Sequence, residues 1–293
     1  MSTLVIVIQI VAPVFILAAI GFGWVRLGYD YSVVFVTRLA MTISVPCLIF
    51  VALMKAQIDP ASLAKTFWAA VVAYVIVTVL FLVVVKVAKL DFSTYMHPLI
   101  FGNTGNLGLP LAMFAFGEEG LSLAVVIFAV MIVYSFSLGI WMVSGRGSFG
   151  KVLREPTVYG ALLGALFMYN GWQTPVWLTN TLQLTGQMAI PLMLITLGVA
   201  LGRIDVRRFL RPLMLALFKV VACTAIAVGV AMSFDLGQVA TAVLILQLAT
   251  PVAVTSYLLA EKYGADSETV AGLVVVSTAI SVVSIPLTLA FLV

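Results

Sequence analysis

The sequence predicts an all-α membrane protein of ten transmembrane helices, built as two inverted five-helix repeats whose fourth and ninth helices are broken and cross. Three observations carry this. The 293 residues are 63% hydrophobic and only 9% charged, with a mean hydropathy of +1.23, where a soluble domain carries roughly a quarter charged residues. Apolar runs of about 20 residues, the length a bilayer core demands, recur along the whole chain. One of them holds "FGNTGNLGLP" at its centre, with three glycines, two asparagines and a proline in ten positions.

Taken in order, the expected spans are 4 to 25, 32 to 54, 66 to 88, 94 to 117, 120 to 143, 156 to 170, 175 to 201, 209 to 232, 236 to 261 and 267 to 291. The sixth is short and must borrow flanking residues. The first run has no Lys or Arg before it and is followed by Arg26, which is not the order of a cleavable signal peptide, so residue 1 is expected in the mature chain. Pro13, Pro46, Pro191 and Pro286 read as kinks inside spans.

Orientation follows from the basic residues. Arg26, Lys86, Lys89, Arg146, Lys151, Arg154, Arg203, Arg207, Arg208, Arg211 and Lys262 fall in one set of alternate connections, and only Lys55 and Lys65 in the other. By the positive-inside rule the first set is cytoplasmic and both termini lie outside the cell (inner) membrane. The formal charge of +4 thus reflects topology; the basic residues form no dense run, so no nucleic-acid partner is expected, only the lipid bilayer and a small solute.

The longest connection, 144–155, divides the chain into repeats 1–143 and 156–293. "VPCLIFVALMKAQID" in span 2 and "IPLMLITLGVALGRID" in span 7 both run from a proline, Pro46 or Pro191, to an Ile-Asp pair. "FGEEGLSLAVVIFAV" after span 4 matches "YGADSETVAGLVVVST" after span 9. Five spans per half force the copies to be inverted, the arrangement of many secondary transporters.

The breakers at 102–110 then make sense. Gly102, Asn103, Thr104, Gly105, Asn106, Gly108 and Pro110 sit near the bilayer midplane, and span 9 has Thr250, Pro251 and Val252 at its own centre. Irregular backbone at that depth survives only when buried in protein or lining a cavity. Two broken antiparallel helices crossing there would offer half-helix N-termini to one point, a setting for an anion. The eleven carboxylates all fall at span ends or in connections, which disfavours cation exchange, since that chemistry relies on midplane carboxylates. Sodium-coupled anion symport of bile-acid-carrier type stays open through amide, hydroxyl and carbonyl oxygens. Gln183, Gln187 and Gln247 read as interhelical hydrogen bonds. Lys219, ten residues into span 8, lies about 15 Å deep, where it faces a hydrated cleft, neutralises half-helix C-termini or pairs with the substrate. Cys47 and Cys223 read as packed thiols, and with His97 the single histidine no metal or cofactor site is expected. An intramembrane enzyme would need a nucleophile with a base, or a metal cluster, at depth; neither is visible.

"GNTGNLGLPLA" in span 4 and "TPVAVTSYLLAEKYG" in span 9, with the prolines of spans 2 and 7, resemble the auxin efflux carrier family, which includes plant auxin carriers and bacterial malate and malonate carriers. The resemblance covers the whole chain, and the short central connection is similar to that of bacterial members. It implies a fold like that of sodium/proton antiporters, a scaffold of spans 1, 2, 6 and 7, a mobile unit of spans 3–5 and 8–10, elevator-type movement and a homodimer. It also implies substrate contacts at the positions of Asn103 and Pro251. Where many members have a polar residue close after that proline, this chain has Val252, so the contact falls to Thr255 or Ser256.

Overall fold

The computed structural model describes residues 3–56, 58–145, 155–203 and 210–292. Most of the 144–155 connection, with Arg146, Lys151 and Arg154, lies outside the described residues, as do Ile204, Asp205, Arg207 and Arg208. Among the described residues eleven helices follow one another: α1 Thr3–Arg26, α2 Val33–Lys55, α3 Pro60–Val87, α4 Phe92–Ile100, α5 Thr104–Ser144, α6 Pro156–Asn170, α7 Val176–Arg203, α8 Leu210–Ser233, α9 Gln238–Leu248, α10 Val254–Tyr263 and α11 Ser267–Leu292. The chain is thus an all-α, multi-pass membrane protein.

Seven of these helices are long and apolar enough to cross a membrane by themselves, against ten expected spans, and the difference has three physical sources. The fourth expected span is divided between α4 and the start of α5, and the ninth between α9 and α10. The sixth is the 15-residue α6, about 22 Å long against a core of ~30 Å. The continuous-looking α5 merges two expected spans. Gly117 inside it has φ 62° and ψ −149°, and a Cβ on Gly120 would lie 2.6 Å from the carbonyl oxygen of Ala112. Eight residues rise about 12 Å in a straight helix, so the chain doubles back at Gly117, with Glu118 and Glu119 exposed at the tip.

At two of the prolines the turn before the ring is widened. In α2 a π-helical turn, Ala40–Ser44, comes just before Val45-Pro46, and in α5 another, Thr104–Gly108, comes just before Leu109-Pro110. A proline ring clashes with the carbonyl four residues back and supplies no N–H to it. The turn widens, and the preceding N–H reaches back five residues, Val45 to Ala40 and Leu109 to Thr104. Pro191 instead follows a break at Met188, while Pro13 and Pro286 sit inside unbroken helices.

Four helices end in turns of one kind. After α3 the chain closes with Ala88 N–H to Val84, Lys89 to Lys86 and Leu90 to Val85; after α8 it closes with Phe234 N–H to Val230, Asp235 to Met232 and Leu236 to Ala231. Among the described residues, Lys89 and Asp235 are the two non-glycine residues with positive φ, 50° and 48°. The ends of α1 and α6 carry the same motif on Gly28 and Gly171. In packing, α1 lies along the Ala189–Arg203 part of α7 and α2 along α6, where Gly198 meets the Ala18 backbone and Gly160 the Pro46 backbone. Around the breaks, α3, α4, α5, α8, α9 and α11 pack mainly on one another. Asp91 caps α4, its carboxylate taking the Ser93 hydroxyl at 2.6 Å and the Thr94 N–H at 2.8 Å, which holds it below its usual range.

Candidate functional site: the crossing of two broken helices

Phe101–Asn103 and Pro251–Ala253 are the two stretches where helical backbone stops. They pair antiparallel at Gly102 and Val252. The Asn103 N–H donates to the Pro251 carbonyl at 2.7 Å and the Ala253 N–H to the Phe101 carbonyl at 3.3 Å. The Val252 N–H donates to the Ser277 hydroxyl of α11 at 3.0 Å. Every N–H of the two stretches that points into this pairing is therefore spent, which is how irregular backbone is tolerated among fully buried residues. Gly102 makes the approach possible: a Cβ there would overlap Thr250 Oγ1 and lie 3.2 Å from the Thr250 carbonyl oxygen. Gly105 and Gly108 likewise face Phe128 and Gln247 without room for a Cβ.

The register sets the N-terminus of α5 beside the C-terminus of α9, and that of α10 beside the C-terminus of α4. Both positive and both negative helix ends thus meet around one bridge. Neither N-terminus is capped by a side chain, so the first N–H groups of each lack intrahelical acceptors.

The expected site residues separate into two groups. Thr250, Pro251 and Val252 are buried and occupied: Thr250 donates to the Gln247 carbonyl at 2.6 Å, Pro251 accepts from Asn103, and Val252 is fully buried with its N–H on Ser277. Asn103 and Thr104 are buried with Nδ2 and Oγ1 unpartnered among the described residues. Asn106 is half-buried, and Thr255 lies exposed on the first turn of α10. Ser256, next to it, turns inward to His97 Nδ1 at 2.9 Å. Pro46 and Pro191 lie away from the pairing, but the π turns at Ala40–Ser44 and Thr104–Gly108 both pack on Ala189–Arg203.

Three features lay beyond sequence reasoning. His97 joins α4 to α10 through Ser256 and to α5 through Ser135 Oγ at 3.0 Å, contacts 159 and 38 residues away in the chain. Ser277 is one of several serines on α11 that sequence does not distinguish. Gln247, expected to bridge helices, is fully buried, and neither its Oε1 nor its Nε2 has a partner among the described residues. Lys219 is 2% exposed and donates from Nζ to the Leu99 carbonyl at 2.8 Å, in the last turn of α4.

The crossing thus brings together broken helices that pair their unwound backbones inside an apolar bundle, with uncapped N-termini and, among the described residues, unpartnered amide groups beside them. The chain matches the membrane transport protein family over residues 6–152 and 146–289 and belongs to that family. It is 28% identical over 198 residues to an uncharacterized transporter of Methanothermobacter thermautotrophicus, covering 63% of each chain. It is also 24% identical over 199 residues to an uncharacterized transporter of Methanocaldococcus jannaschii, covering 64% of each. The matched stretch thus spans a little under two thirds of these relatives.

Proposed function

We propose that this protein carries a small organic anion, a carboxylate, across the cytoplasmic membrane by elevator-type alternating access, with the anion bound at the crossing of the broken helices. The observation that carries the reading is the meeting of two uncapped helix N-termini with the unpartnered Asn103 amide and Thr104 hydroxyl, donors without a carboxylate among them. The matching turns after α1 and α6 and after α3 and α8 support two inverted five-span repeats. The pairing of α1 with α7 and of α2 with α6 supports a scaffold against which the remaining helices move. The auxin-carrier-like motifs support the substrate class and the homodimer, and the charge count supports external termini in the cell membrane. Uptake of labelled mono- and dicarboxylates into proteoliposomes, with and without sodium, proton and potential gradients, tests the reading. Accumulation of at least one carboxylate is expected; no uptake of any member in any gradient refutes it.

A further inference from the structure

A buried ammonium with no carboxylate paired to it among the described residues calls for an explanation. Lys219 Nζ donates to the Leu99 carbonyl, one of the last four of α4 that have no intrahelical donor. Lys219 also lines a small cavity with Thr250, Pro251, Ser277 and Ser281, directly past the C-terminus of α9. Two negative helix ends therefore face it, one by a hydrogen bond and one across the cavity. Around it are hydroxyls and carbonyls, the ligand set that would also suit a small monovalent cation.

We propose that Lys219 is the built-in cation of the crossing: its ammonium takes the place of a bound metal ion, so the carrier needs no sodium at this point. The transport consequence rests on the carrier reading above, whereas the effect on the fold rests on the geometry alone. The sign of one substitution separates this from a charge merely trapped in the bundle. A trapped charge is a desolvation cost, and replacing it by an apolar side chain of similar volume is neutral or stabilising. A charge that neutralises two helix ends is missed when it is removed.

The test is thermal denaturation of the purified protein in detergent, in sodium chloride and in choline chloride at equal ionic strength. The parent should melt at the same temperature in both salts. Lys219→Met should melt lower by roughly 5 °C, and Lys219→Gln, which keeps a neutral donor but no charge, should show at least half of that loss. A sodium-specific rise in the parent overturns the proposal without any variant. So does a Met variant as stable as the parent, and so does a Gln variant that restores the parent value, since hydrogen bonding alone would then suffice. None of these readouts involves transport, so absence of carboxylate uptake by the parent would count against the carrier reading and leave this one standing.

Discussion

Replacing Gly102 by Ala should weaken the protein by about 1–3 kcal/mol, because the new methyl meets Thr250 and there are two ways to relieve it. The bridge can open, which gives up the Asn103 to Pro251 and Ala253 to Phe101 hydrogen bonds. Each buried group left unpaired costs about 1–3 kcal/mol, so this route costs roughly twice that. Alternatively Thr250 can rotate its hydroxyl away. That gives up only its 2.6 Å bond to the Gln247 carbonyl, at about 1–3 kcal/mol, and the cheaper route sets the result. Thr250→Ala removes Oγ1 and leaves Thr250 Cβ at an ordinary 3.4 Å, so the double variant should lose less than the sum of the single ones. Gly229→Ala is the control: nothing lies within 4 Å of a Cβ there, and mid-helix alanine is neutral or slightly stabilising. Melting temperatures of the parent and these four variants in detergent check this. Gly102→Ala as stable as Gly229→Ala, or strict additivity with Thr250→Ala, would refute the reasoning.

Asn103→Ala should weaken binding of whichever carboxylate the uptake panel identifies by about 1–3 kcal/mol; unchanged affinity in folded protein removes the amide from the site. Lys89→Gly and Asp235→Gly should each stabilise by roughly 0.5–1 kcal/mol, since left-handed backbone strains residues with a Cβ; a drop in melting temperature at either would contradict the matched turns. In a background without Cys47 and Cys223, Lys89→Cys should react with an impermeant maleimide only from the cytoplasm and Asp235→Cys only from outside. Labelling of both from the same side would exclude inverted halves.

The breaks were legible because their cause is local. Gly102 and Asn103 before Pro110, and Thr250-Pro251, announce non-helical backbone wherever they stand, and both stretches are extended in the structure. The hairpin at Gly117 showed in "FGEEG" for the same reason. What stayed hidden depends on distant partners. The Gly102 to Val252 register joins residues 150 apart, and the pairing of His97 with Ser135 and Ser256 leaves no trace in hydrophobic periodicity. The π turns escaped notice because a proline acts backwards, on carbonyls four residues earlier, without altering which residues are apolar. Gln247 was misread for want of knowing that Gly108 and the Thr104–Gly108 turn face it.

A regularity among the hydroxyls picks out two, one in each of the first two π turns, that stand outside it. Thr66, Thr78, Ser122, Ser137, Thr196, Thr278 and Thr288 all donate to the carbonyl four residues back, the usual way a serine or threonine satisfies itself in a helix. Ser44 and Thr104 do not, and both are buried without a partner among the described residues. The reason differs at each. For Ser44 the carbonyl four back is that of Ala40, which the π turn commits to the Val45 N–H. For Thr104 it is that of Ile100, on the far side of the extended Phe101–Asn103 stretch. At Ser44 the proline further on, Pro46, has displaced the ladder the hydroxyl would have used; at Thr104 the unwound stretch before it has ended that ladder. Both turns pack on Ala189–Arg203, one from α2 and one from the start of α5. If that shared surface is where the proposed moving unit meets the scaffold, Pro46 keeps a hydroxyl available on the α2 side at the cost of one regular turn, and the break before α5 keeps the other. On that reading Pro46 has a part in shaping the surface, although it lies far from the crossing in sequence and makes none of its hydrogen bonds.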